Sequence, residues 1–250
     1  MNKLAIVIFL AVLFSCSDKK TLEITPEEIQ DYVAACTDST RVYDIIQGAR
    51  FSRDDETYQS SAFYYNDSLV LLVIEESSQE KLVNTNIYFK EDVPVYIEEY
   101  ISKFNENEGY VAEHKAYLNG ADVLASEERK ANDAYAIEEL EFVAADLEYD
   151  EYDFLKGLRA VNQEKEFEMA FEEFLILNPE SYLILENKES GYGVALFIMK
   201  GDENLDLLYL DSDTYRGRKV FFDYEFTVMN GIERMLYMGV EIKEEEKEAA

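Results

Sequence analysis

Three stretches of the chain repeat one pattern, and that pattern limits what the chain can fold into. They are Phe63-Tyr-Tyr-Asn-Asp-Ser-Leu-Val70, Ile87-Tyr-Phe-Lys-Glu-Asp-Val-Pro-Val95 and Ala116-Tyr-Leu-Asn-Gly-Ala-Asp-Val-Leu124. Each has an aromatic-rich strand end, a short polar turn and an aliphatic restart, the signature of an antiparallel hairpin. Asn119-Gly120 is the strongest of the turns, because both residues tolerate positive φ. The intervals between Tyr64, Tyr88 and Tyr117 are unequal, which excludes a propeller or solenoid array and leaves an antiparallel meander. The pattern predicts strands near 60–66, 69–76, 83–90, 94–103, 110–118 and 122–129, with Pro94 at an edge position or a strand start.

Helices flank this region. Thr25-Pro26-Glu27-Glu28 carries a cap, a first-turn proline and a capping-box glutamate, and Ile29, Tyr32, Val33 and Cys36 follow at helical spacing, so a helix is expected over 26–36. Asn132 or Asp133 can cap a second, in which Ala134, Ile137, Leu140, Val143 or Ala144 and Leu147 recur every three to four residues. Phe167, Ala170 or Phe171, Phe174 and Leu177 share one helical face over 164–177, with a strand as the rival reading. Strands are then expected at 182–186, 194–199, 205–210, 219–229 and 233–242, the last two joined by Asn230-Gly231. Five strands in this length loosely resemble the pattern of OB-type barrels, without a motif that carries a binding function.

The fold class expected is α+β, predominantly antiparallel β. It comprises an N-terminal meander of hairpins, a C-terminal small β-barrel-like or meander sheet, and packing helices. The organisation reads as a signal peptide at 1–15, a tether at 16–24, a helix plus meander at 25–150, a helix plus five-stranded region at 151–243 and a charged tail at 244–250.

Charge narrows the partners. Aspartate and glutamate number 54 against 23 lysines and arginines, a formal charge of −31. Such a chain repels nucleic acid and anionic lipid, both of which are bound through lysine and arginine. The excess suits cations, basic partners or plain solubility. It does not imply disorder, since 48% of residues are apolar and 14% aromatic, with 19 tyrosines and 15 phenylalanines. Those tyrosines read either as contact surface or as half-buried strand residues.

A search for catalytic chemistry yields no catalytic residue, no metal set and no cofactor motif. The single histidine, His114, lies on a predicted strand beside Glu113 and Lys115 and is expected to face solvent. There is no G-x-S-x-G elbow and no P-loop lysine, and Gly191-Tyr-Gly193 lacks the third glycine of a dinucleotide fingerprint. Asp202, Asp206, Asp211 and Asp213 sit around predicted turns, but Tyr215 and Phe222 stand where an EF-hand needs oxygen ligands. Arg216-Gly-Arg218-Lys219, the one dense basic spot, reads as a turn that balances local acids, with docking of an anion or an acidic partner as the rival reading. Cys36, at the apolar end of the first helix, lacks the basic neighbour of a reactive thiol and reads as packed.

The amino terminus is more specific. Asn2 and Lys3 precede Leu4 to Phe14, an unbroken apolar run of eleven residues, then Ser15 and Cys16. At helical rise that run covers only about 17 Å, too short for a roughly 30 Å hydrocarbon core, and it has the layout of a secretory signal peptide. Leu13-Phe14-Ser15-Cys16 resembles the lipobox of bacterial lipoprotein precursors. Leu13, Ser15 and Cys16 match it, and Phe14 departs from it, because that place usually takes a smaller residue.

The resemblance implies a diacylglyceryl group on the Cys16 thiol, cleavage before Cys16 and an acyl chain such as palmitate on the new amino terminus. It also implies a bacterial envelope location. Ser17 in place of aspartate favours the outer membrane over the inner. With Cys16 lipidated, Cys36 loses its only possible disulfide partner. The expectation is a lipid-anchored, non-enzymatic binding or structural protein that contacts a partner protein or an apolar ligand. The alternatives are a carboxylate-based glycan hydrolase and an assembly component of a surface complex. A deep apolar cavity would favour ligand carriage, and a flat apolar patch would favour a protein partner.

Overall fold

The computed structural model describes residues 22–37, 42–104, 109–120, 122–146 and 154–243. The expected signal peptide, the lipobox with Cys16 and the charged tail lie outside the described residues.

The meander forms as expected. It runs β1 (Asp44–Gln47), β2 (Phe51–Arg53), β3 (Glu56–Tyr65), β4 (Ser68–Ser77), β5 (Lys81–Lys90), β6 (Val93–Lys103), β7 (Tyr110–Asn119), β8 (Asp122–Ala131) and β9 (Val143–Ala144). Asn66-Asp67 and Glu91-Asp92 each form a two-residue turn with both φ values positive, the geometry that matches the twist of the strands they join. Pro94 stands second in β6, where a missing N–H is tolerated. β1 and β2 are unanticipated. They pair with successive halves of β3, as Gln47 opposite Ser61 and Phe51 opposite Tyr58.

Two helices cover the meander's two faces. Helix α1 (Pro26–Cys36) begins with the predicted capping box between Thr25 and Glu28. It buries Ile29 and Cys36 against Tyr88, Val95, Tyr96 and Tyr117. Burial pushes the Tyr88 hydroxyl up to about 12. The strand tyrosines are buried or half-buried except Tyr65, and Tyr65, Tyr135 and Tyr209 are the exposed tyrosines among the described residues. Beyond α2 (Ala134–Ile137), helix α3 (Phe154–Asn162) lies on the opposite face, where Phe154, Leu158 and Val161 meet Ala62, Leu72, Ile87 and Phe89.

The remaining elements are β10 (Ala170–Leu177), β11 (Glu180–Glu186), β12 (Gly193–Phe197), α4 (Glu203–Leu210), α5 (Ser212–Tyr215), β13 (Val220–Met229) and β14 (Ile232–Ile242). Their strands join the meander in one open sheet of fourteen strands, ordered β10-β11-β12-β2-β3-β4-β5-β6-β7-β8-β9, with β1 beside β3 and the β13–β14 hairpin attached to β12. The sheet is mostly antiparallel but mixed, since Phe197 of β12 pairs in parallel with Leu236 of β14. The C-terminal strands are thus part of an open sheet and not a closed barrel. A single register pair, Ser52 opposite Gly193, links β2 to β12.

Three expectations are corrected. Residues 164–177 are not a helix but a 3₁₀ turn at Lys165–Phe167 followed by β10. The cause is a β-bulge at Glu172. Phe171 faces Leu185 and Phe174 faces Leu183, so two phenylalanines three apart share one face of a strand and mimic helical spacing. The same Asn178-Pro179 pair that was expected to end a helix turns β10 into β11.

The helix expected after Asp133 lasts one turn. Asp133 does cap it, accepting from the Tyr135 and Ala136 amides at 3.0 and 2.9 Å. Glu138, Glu139 and Glu141 then crowd the helix's negative end, and Val143 pairs with Glu128 as β9 instead.

Residues 205–210 form a helix rather than a strand. Asp202 caps it through the Leu205 amide at 2.8 Å, and Leu205 and Leu208 bury one face.

Candidate functional site

The outer edge of β10 is the most distinctive surface among the described residues. Its first residues are paired on both sides. The Phe171 amide donates to the Arg218 carbonyl at 2.9 Å, and the Gly217 amide donates to the Phe171 carbonyl at 2.8 Å. After the bulge the strand moves away from that loop. From Glu173 to Leu177 the inner side pairs with β11, while the outer side has no backbone partner among the described residues.

The side chains on this open segment are apolar. Leu175, Ile176 and Leu177 are 40%, 59% and 53% exposed. Strand periodicity puts Ile176 on the same face as Phe174. Phe174 meets Tyr209 of α4 edge-on, with ring centroids 5.4 Å apart. Tyr209 and Leu210 of α4 are themselves exposed, so the apolar surface continues from the strand onto the helix. Lysine, proline or a covering loop normally blunts such an edge. Neither lysine nor proline stands between Glu173 and Leu177, and no loop pairs with the segment's backbone among the described residues.

Charges border the segment. Glu172 pairs with Lys188 at 2.8 Å, and Glu173 has no ion pair among the described residues. On the far face, Leu177 lies opposite Glu180 and Leu175 opposite Tyr182. Arg234 of β14 donates to the Tyr182 hydroxyl at 2.6 Å and sits 2.9 Å from Glu180, and Tyr182 donates to Glu180 at 2.7 Å. Hydrogen bonds from Arg234 and then Tyr182 hold the Glu180 carboxyl below the usual carboxylate range. These bonds fix β11 against β14, so the edge strand stands on a braced support.

The residues singled out in the sequence do not gather at one place. Cys36 is buried, as expected, in the core under α1. His114 corrects its expectation. It is not a free solvent-facing residue but a half-buried one between two carboxylates, with Nδ1 3.1 Å from Glu99 and Nε2 3.7 Å from Glu128. Asp202 caps α4, Asp213 lies in α5, and no three metal-ligating side chains converge among the described residues.

In the basic spot, Arg216 donates to the Glu172 carbonyl and Lys219 to Glu168, so it closes a turn. A cavity of about 550 Å³ nearby is lined by charge, and three of its five carboxylates are held in ion pairs. Glu166 binds Arg159, Glu168 binds Lys219 and Lys243, and Glu172 binds Lys188.

The edge itself was hidden, because the bulge disguised β10 as a helix. The signal that could have exposed it is Phe174-Leu-Ile-Leu177 running directly into Asn-Pro, a strand-and-turn signature. Comparison with known proteins adds no assignment: no family model, no curated protein and no solved structure matches the chain.

Proposed function

We propose that this protein is a lipid-anchored component of a bacterial envelope, tethered through Cys16, that holds a partner protein by accepting an extended segment against the open edge Glu173–Leu177. The observation that carries the binding half is that edge: backbone groups unpaired among the described residues and flanked by exposed leucine and isoleucine, which is what strand addition requires. The Leu13–Cys16 lipobox resemblance supports the anchor. The chemistry of the occupant follows from charge. A second copy of a chain carrying −31 is repelled at long range, whereas a segment with alternating apolar residues and lysine or arginine flanks meets Glu172 and Glu173 favourably. An outer-membrane site agrees with Ser17 following Cys16. A permanent place in a surface complex would use the same edge, with a partner that does not dissociate.

Two experiments test the two halves. Wild type and Cys16→Ser are followed through maturation with labelled fatty acid. Label on the wild type alone is expected, and label on neither would sink the anchor. For the edge, the protein is titrated with a short peptide of alternating valine and isoleucine between lysine flanks, and hydrogen exchange is followed by residue. Slowed exchange at 173–177 is expected, abolished by Ile176→Lys or by N-methylating the peptide on alternate residues. Unchanged exchange there, or protection that survives N-methylation, would refute strand addition.

A further inference from the structure

A second cavity, of about 230 Å³, lies beside the β2–β12 seam, with Arg53 of β2 and Tyr192 next to β12 in its lining. Its floor is aromatic. Phe167 stacks on Tyr58 at 5.2 Å with rings inclined 27° and meets Tyr192 at 4.9 Å. Both tyrosines are buried within the core they share. Two cations lie over the outward faces of these rings. The Arg53 guanidinium is 4.9 Å from the Tyr192 centroid, and the Lys156 ammonium is 4.2 Å from that of Tyr58. Attraction to the ring quadrupole holds each charge in place without neutralising it. Lys81, at the start of β5, adds a third cation to the same wall.

The composition of this wall departs from that of the chain. Acids outnumber bases by more than two to one overall, 54 against 23. Among the described residues, the ionic ones here are Arg53, Lys81 and Lys156 against Glu56 and Glu76, three cations against two acids. Glu56 bonds Arg53 and Glu76 lies near Lys156. Glu56 reaches Arg53 through one nitrogen, Nη2, at 2.6 Å, and its side chain is 53% exposed. Glu76 is 3.7 Å from Lys156, beyond the roughly 2.7–2.9 Å of a charge-assisted hydrogen bond. Lys81 has no ion pair among the described residues and is not otherwise engaged through its side chain. A guanidinium presents a fork suited to two oxygens of one group, and Arg53 uses it on one. An exposed pair such as Arg53–Glu56 adds little to stability, so fold maintenance does not account for the arrangement.

We propose that this cavity binds a small oxyanion-bearing ligand, a phosphate or a carboxylate, which takes the Arg53 fork in place of Glu56 and is completed by Lys81. The volume is below the roughly 300–1,000 Å³ of drug-sized sites, so the ligand is compact. Glu56 then acts as a tethered competitor, and its removal strengthens binding.

The test is calorimetric titration of the full chain in detergent at low salt, with inorganic phosphate in one arm and glucuronate in the other. Chloride at matched ionic strength is the control. Saturable one-site binding of at least one probe is expected. Glu56→Gln should tighten it several-fold, and Arg53→Gln and Lys81→Gln should each weaken it about tenfold or more, as loss of a charged hydrogen bond does. Preference between the arms identifies phosphate or carboxylate as the source. Thermal melts of each variant show whether the fold is retained, and Lys81→Gln, a change at the cavity's rim, keeps the test open if Arg53→Gln misfolds. Absence of saturable binding in both wild type and Glu56→Gln would overturn the proposal. So would binding that is indifferent to Lys81→Gln, or weakened by Glu56→Gln.

Discussion

The hydroxyl of Tyr237 donates to Asp202 Oδ2 at 2.8 Å, while the other oxygen of that carboxylate accepts the Leu205 amide that opens α4. One side chain therefore starts a helix and fastens it to β14. Burial, and then the bond to Asp202, pushes the Tyr237 hydroxyl up from its ordinary range. Asp202→Ala should cost about 1–3 kcal/mol through loss of the cap and an unpaired buried hydroxyl. Tyr237→Phe should cost about 1 kcal/mol. The double variant should lose less than the two together, because both report on one carboxylate. Urea unfolding of the four proteins measures this, and strict additivity would show that the two bonds are independent.

Gly48 occupies the crossing where the chain passes from β1 to β2 along β3. A Cβ there would lie 2.5 Å from the Ser60 carbonyl oxygen, which also accepts the Gly48 amide at 2.7 Å. Backbone in mid-sheet cannot retreat, so Gly48→Ala should destabilise by about 1–3 kcal/mol or more. A melting temperature within a degree or so of wild type would contradict this placement.

Glu168 receives Lys219 at 2.7 Å and Lys243 at 2.6 Å. Burial raises its pKa, but hydrogen bonds from the two ammonium groups outweigh that effect and the net shift is downward from 4.5. A carboxyl lowered in the folded state contributes its full stabilisation above the unfolded value and loses it as pH falls through the folded one. Glu168→Gln should therefore cost up to about 1 kcal/mol at neutral pH, the range of a partly exposed pair. Below the folded pKa the difference should vanish. Melting curves from pH 7 down to strong acid test this, and a gap that widens on acidification would refute it.

Ile176 lies on the open edge of β10 and is 59% exposed. Ile176→Lys should change folding stability by less than about 0.5 kcal/mol, as surface substitutions do. It should also raise the concentration at which the protein stays monodisperse, because a lysine on an edge discourages strand addition. Light scattering against concentration decides the point, and a variant that aggregates sooner would speak against an exposed edge.

The hairpins were legible in the sequence because each is specified within about ten residues: Asn66-Asp67, Glu91-Asp92 and Asn119-Gly120 carry their own turn geometry. Helix α1 was legible for the same reason, from Thr25 and Glu28. What escaped was set by distant contacts. Phe171 and Phe174 look helical until Leu183 and Leu185 are placed opposite them. Leu205-Asp-Leu-Leu-Tyr-Leu210 looks extended until Asp202 is recognised as a cap and Leu205 and Leu208 as one buried face. The oxyanion cavity could not be read at all, since Arg53, Lys81 and Lys156 come from separate hairpins and a helix. Pairing of β2 through β5 and the seating of α3 on β3 and β4 bring them to one wall, and the joining of β2 to β12 adds the Tyr192 ring.

That joining governs the order in which the molecule can be built. β3 to β8 need only their immediate neighbours in sequence, so they can zip together as the chain emerges. Ser52 must wait for Gly193, which is made long afterwards. Until then β2 offers a bare flank, and Phe51 and Tyr58 lack the aromatic neighbours that Phe167 and Tyr192 later supply. Such a long-range closure is intrinsically slow. The half-made protein thus carries a temporary sticky side, and an escort that shields β2 during synthesis would raise the yield of correctly closed molecules.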